Sequence, residues 1–349
     1  MLLLVPGAVQ RHVAYGSTKM EYGAAEALCA FFALVGCVSL AIPRGGLLVV
    51  PEPVDLVAFA RLRPKLTPTD PRQVTVGGLG DAALWAEASL RRNDMGRRGV
   101  GRLTATLFRS TPWASQQKSR VDALRPAAAD EAVLRQYETL VRALPPRIVP
   151  VAAKKTEPAS SFMAPSVFRA FVADNLASGR RWHHGFGVAR DPLDRDRFLH
   201  LFRTADNLGA LSQAEQHGVR LMIEYLSEPE RLLVQSVQSA LRKRLGNIAG
   251  ENEENSTALK KRWQRERERW RLGFAGAKTR DQLRFSLADL FSRAGTVPEL
   301  RDDEGWAKVM GLVQRDWASA RDLALVALAA YGRRNPTDPT DPTDPDPET

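Results

Sequence analysis

Between Lys260 and Arg271 the chain sets seven cations, Lys260, Lys261, Arg262, Arg265, Arg267, Arg269 and Arg271, against two carboxylates, Glu266 and Glu268. The chemistry open to such a run is the holding of anionic oxygen. A guanidinium is planar and its donors form a fork that matches phosphate oxygens, so an arginine-rich surplus favours phosphodiesters. A face that only keeps a helix in solution mixes both signs in near balance, because like charges at i and i+4 repel. A surplus of five positive charges over twelve residues therefore reads as a surface that tracks phosphate. Leu259, Trp263, Trp270 and Phe274 follow at steps of four, seven and four, which puts them on one face of a 3.6-residue helix and the cations on the others. The tryptophans are then core anchors, not platforms for bases. Ser256 and Thr257 are N-cap candidates and Gly276 is a stop, so a helix is expected over 255–276, about 30 Å long at about 1.5 Å per residue.

Further cations and short hydrogen-bonding side chains extend the candidate set. Lys278, Arg280 and Arg284 continue it past the glycine, and three more clusters lie earlier: Arg11 and His12 with Lys19; Arg97 and Arg98 with Arg102; and Gln116, Gln117, Lys118 and Arg120. The last group, within 115–120, reads as a loop suited to a sugar–phosphate backbone.

Enzymatic constellations are weaker. His183, His184, Asp191 and His200 gather imidazoles and a carboxylate that could serve a metal-dependent nuclease. No two of them stand at a spacing that sets two ligands on one helical turn, and Asp194 and Asp196 read more simply as a helix N-terminus. The glycines of 76–81 are not followed by Gly-Lys-Ser/Thr, 16–19 is not a phosphate loop, and no Gly-x-Ser-x-Gly elbow occurs. The run 251–255 lacks the alternation of a calcium loop. The expectation is a protein without catalytic residues, metal or cofactor.

Composition agrees with a polyanionic partner. The net charge is +10, and since five carboxylates lie beyond Arg334 with no cation, residues 1–334 carry +15. With an isoelectric point near 9.9, nucleic acid or an acidic membrane surface is implied, a basic scaffold for an acidic partner being the third reading. Cys29 and Cys37 read as buried, reduced thiols. The uncharged run Ala27–Ile42 has sixteen residues, short of the roughly 20 that span a membrane, and reads as a buried helix followed by a strand. A cytoplasmic protein is expected.

The elements that must position these residues fall into two classes. Residues 1–144 alternate short strands and helices: a strand over 2–5, a helix over 21–35, a hairpin of 38–42 with 47–50, a helix over 55–62, a strand over 73–76, a helix over 81–92, a strand over 102–108 and a helix over 127–144. Residues 145–165 carry five prolines and read as a linker. Helical signals dominate 166–333, with N-terminal boxes at Ser212–Glu215 and Ser227–Glu230 and a cap at Thr279–Gln282. The Pro-Thr-Asp repeat of 334–349 is expected to be disordered. The class is α+β: a mixed α/β domain with a small antiparallel or mixed sheet, then a helical bundle.

Five stretches, 2–18 (LLLVPGAVQRHVAYGST), 112–122 (PWASQQKSRVD), 268–279 (ERWRLGFAGAKT), 287–295 (LADLFSRAG) and 321–331 (RDLALVALAAY), together resemble the large subunit of type I CRISPR interference complexes in its myxobacterial variant. The resemblance implies membership of a ribonucleoprotein, Cascade, whose partners are guide RNA, target DNA, the other Cascade subunits and a helicase-nuclease. It implies a C-terminal bundle like the separate small subunit, locking of the guide–target duplex and displaced strand, and no hydrolytic chemistry. Members of that family are usually longer, so the chain is expected to lack the usual N-terminal part and its reading of the motif beside the target.

Overall fold

The structure, a computed structural model, describes residues 23–42, 45–92, 100–113, 116–127, 129–151, 159–186, 213–250 and 256–331. The chain divides into two compact units, 1–182 and 183–349. The expected strand over 2–5, the helix N-terminus at Asp194 and Asp196, Ser212 and the tail lie outside the described residues.

In the first unit the elements run α1 (Ala24–Gly36), β1 (Val38–Ile42), β2 (Gly45–Pro53), α2 (Leu56–Leu62), α3 (Pro71–Val74), α4 (Leu79–Arg92), β3 (Val100–Trp113), β4 (Gln116–Leu124), α5 (Glu131–Ala143), β5 (Arg147–Val151), β6 (Ser160–Ala164) and α6 (Val167–Ala177). Four strands form one antiparallel sheet in the order β1-β2-β3-β4. Period-two alternation gives it a covered face, with Val38, Leu40, Leu47, Val49, Leu103, Ala105 and Leu107 buried. Ala82, Ala83, Ala86 and Leu90 of α4 and Phe59, Leu62 and Leu66 join that core.

The glycine turn before α4 serves packing. A Cβ on Gly80 would lie 2.6 Å from the Ala173 carbonyl oxygen, and one on Gly77 would lie 2.4 Å from the Ala170 Cβ, so α6 approaches where only glycine fits. Asp81, fully buried, staples three helices: its Oδ1 accepts from Tyr137 Oη of α5 (2.7 Å) and from Nε and Nη2 of Arg169 in α6 (3.0 and 2.9 Å), while Oδ2 accepts from the Gly77 amide (2.8 Å). Each buried charge thus has a partner, the condition for tolerating an ion pair in a core.

The second unit is helical: α7 (Gln213–Ile223), α8 (Glu228–Gly250), α9 (Ser256–Gly276), α10 (Arg280–Ala294), α11 (Asp303–Arg315) and α12 (Trp317–Ala330). At its centre α8 buries Leu233, Val234, Val237, Ala240, Leu241, Leu245 and Ile248, while α12 is buried on all sides from Leu323 to Ala330, as its apolar run requires. The carboxylate half of the Ser227–Glu230 box is present: the Ser227 amide and hydroxyl donate to Glu230 Oε2 at 2.9 and 2.7 Å. No described helix is long and apolar enough to cross a membrane.

The α+β class and the antiparallel sheet are as expected, and several local readings are corrected. Residues 73–76 are not a strand, because Asp70 caps a turn begun by Pro71 and its side chain accepts from the Arg72 amide at 2.6 Å; only Thr75 touches Ala41 in a single parallel bridge. Residues 116–120 belong to β4, paired residue by residue with β3. The stretch 145–165, expected as a linker, holds the β5–β6 hairpin, and α6 falls within the first unit rather than the bundle. In α1, Cys29, Leu28, Phe31, Phe32 and Val35 are exposed; apolar sequence predicts burial only where a partner surface covers it.

Candidate nucleic-acid interface

The basic helix α9 is held in the second unit through its aromatic face. Trp270 is 2% exposed and Phe274 fully buried, while Leu259 and Trp263 are half-buried. Arg244 of α8 donates to Glu266 at 3.0 Å. Arg267 turns inward, where its Nη2 donates to the Leu328 and Tyr331 carbonyls at 3.1 and 3.2 Å. It thereby satisfies acceptors that the end of α12 leaves open, and burial lowers its pKa from the ordinary guanidinium value.

The opposite face carries Lys261, Arg262, Arg265 and Arg269, all exposed, at steps that line one side of the helix. Lys261 and Arg265 have no ion pair among the described residues, and the same holds for Lys278 in the turn to α10. Other candidates are engaged within the chain. Arg269 meets Asp289 of α10 at 3.1 Å and lies 5.3 Å from the Trp270 ring centre. Arg271 grips Glu268 with both nitrogens, at 2.8 and 2.5 Å; that hydrogen bond raises the arginine's pKa and lowers the glutamate's. Arg280 and Arg284 share Asp281 at 3.5 and 3.7 Å. The side chain of Lys260 is outside the description. Over 256–294 eleven cations stand against four carboxylates, a surplus of +7.

In the first unit Arg102 is exposed on β3, opposite Glu52 in the register. Gln116, Gln117, Lys118 and Arg120 stand on β4, where Arg120 pairs in register with Arg109 and Lys118 with Thr111. Arg109 was not singled out by sequence; only the hairpin register brings it opposite Arg120. Arg11, His12, Lys19, Arg97 and Arg98 lie outside the described residues.

Of the residues considered for a nuclease, His183 and His184 fall among the described residues. His183 is buried, its Nε2 3.8 Å from Glu230 Oε1, whereas His184 is exposed; Asp191 and His200 lie outside the described residues. No group of three or more histidine, cysteine, aspartate or glutamate side chains disposed to hold a metal occurs among the described residues.

A family model recognises the part of the chain that holds α8 to α12: residues 223–349 match the DevT C-terminal domain. Over 336 residues the chain is 46% identical to the CRISPR-associated protein Cas8a1/Csx13 of Myxococcus xanthus (strain DK1622). The alignment covers 93% of this chain and 58% of that relative, so the chain spans somewhat over half the relative's length. The resemblance carried by 2–18, 112–122, 268–279, 287–295 and 321–331 thus extends over nearly the whole chain.

Proposed function

We propose that this chain is a non-catalytic, nucleic-acid-binding subunit of a CRISPR RNA-guided DNA surveillance complex. In that role it stabilises the guide RNA–target DNA duplex or the displaced strand, sits among the other Cascade subunits and supports recruitment of a helicase-nuclease, in the cytoplasm and away from membranes. Guide pairing reads sequence, and this chain reads backbone and shape. The observation that carries the reading is that a relative named as CRISPR-associated is 46% identical over 93% of the chain, and the aligned part includes an outward row of cations on α9. Phosphate contacts supply affinity and position without sequence preference, which suits a subunit that must accept any guide.

Co-expression of the tagged chain with the genes beside it and a CRISPR array tests the proposal. The expected result is co-purification of guide-length RNA with the tagged subunit, and no cleavage of labelled DNA or RNA by the chain alone with manganese. A subunit that purifies with its neighbours but without RNA would overturn the binding role. Cleavage abolished by joint His183→Ala and His184→Ala substitution would overturn the non-catalytic one.

A further inference from the structure

We propose that the α9–α10 surface takes an unpaired nucleic-acid strand and that Phe285 is the platform on which one of its bases stacks. The proposal rests on the reading of this surface as phosphate-binding and narrows its ligand to a single strand.

Phe285 is 77% exposed, more than any other large apolar side chain described. Core packing does not account for it: Leu283, Leu287, Leu290, Phe291 and Ala294 form the buried stripe of α10, and Phe285 stands off that stripe. Its surroundings are charged in a particular way. One helical turn before it, Asp281 is shared by Arg280 and Arg284, and one turn after it, Asp289 is shared by Arg269 and Arg293, at 3.1 and 2.8 Å. Each flanking carboxylate is therefore outnumbered two to one, and the ring lies between two clusters of net positive charge about 6 Å away along the axis on either side. Across the seam between the helices, where Ser286 Oγ donates to the Gly273 carbonyl at 3.4 Å, the preceding residue of α9 is Leu272, 57% exposed. Leu272 continues the row of Lys261, Arg265 and Arg269 by a further turn.

An aromatic face set among cations is the combination by which proteins hold single strands: charge follows the backbone, and a ring accepts any base. A duplex would make little use of the ring, because its bases are already stacked on one another.

The test compares the full chain with its Phe285→Ala and Phe285→Tyr variants, using fluorescence anisotropy with one labelled oligonucleotide presented unpaired and as a duplex. Phe285→Ala should weaken binding of the unpaired strand roughly 5- to 100-fold and leave the duplex within about twofold, and Phe285→Tyr should retain the wild-type preference. Equal loss on both ligands, or no loss on either with the salt dependence intact, overturns the stacking role while the phosphate-binding reading stands. A wild-type chain that binds neither ligand overturns both.

Discussion

If the cations of α9 hold phosphate as proposed, salt dependence can count their separate contributions. Replacing Lys261, Arg262 and Arg265 together with glutamine removes three charges from the exposed face while leaving the aromatic face and Arg267 untouched. If each meets a phosphate, the slope of log affinity against log salt becomes shallower by about 2.7 on a duplex, at about 0.9 per contact, or about 2.1 on a single strand, at about 0.7. The fold should tolerate the change, since exposed substitutions of this kind alter stability by about 0.5 kcal/mol or less each. Arg271 is the internal control: already clasped by Glu268 at 2.5 and 2.8 Å, it must exchange that partner for a phosphate, so Arg271→Gln changes the slope by well under the roughly 0.9 of a full duplex contact. The assay is an anisotropy titration on a labelled duplex and its single strand between roughly 50 and 200 mM salt, with circular dichroism melts to confirm folding. Parallel lines for the wild type and the triple variant would refute the assignment of this face.

Three further outcomes follow from the packing. Asp81→Ala leaves Arg169 buried without its carboxylate and should cost about 3–5 kcal/mol by urea denaturation; a loss under about 1 kcal/mol would mean that the staple joining α4, α5 and α6 contributes little. Arg267→Met removes the donors to Leu328 and Tyr331 and should lower stability by about 1–3 kcal/mol with no change in salt slope, whereas a shallower slope would make Arg267 a phosphate ligand. Burial first, and the Asp81 charge second, raise the Tyr137 pKa well above its ordinary value of about 10. A raised folded pKa means stability that is complete below about pH 10 and is lost as pH rises toward the folded value, so the alkaline decline should be shallower in Tyr137→Phe, and equal declines would refute the coupling.

What the sequence revealed and what it hid divide along physical lines. The spacing of Trp270 and Phe274 was enough to find the inward face of α9, because a 3.6-residue period is local. The Ser227–Glu230 box and the β1–β2 hairpin were legible for the same reason. Arg267 was indistinguishable from its neighbours in sequence, since its role depends on the end of α12 some sixty residues away. Asp81 likewise finds Arg169 only through the approach of α6 to the glycines before α4. The strand over 116–124 was hidden by its polar letters, which read as a loop until β3 pairs with them; its hairpin register then places Arg109 opposite Arg120. Phe285 carried no signal beyond being off the apolar stripe of its helix, and its exposure became visible only with the neighbouring helices in place.

The proposed path of the nucleic acid runs along α9 and α10. Ultraviolet crosslinking of the complete complex bound to its target, followed by mass spectrometry of the nucleotide-bearing peptides, tests it most directly. Crosslinked peptides of this chain are expected within 256–294, including the one that contains Phe285. Crosslinks confined to other parts of the chain, with 256–294 recovered unmodified, would contradict it.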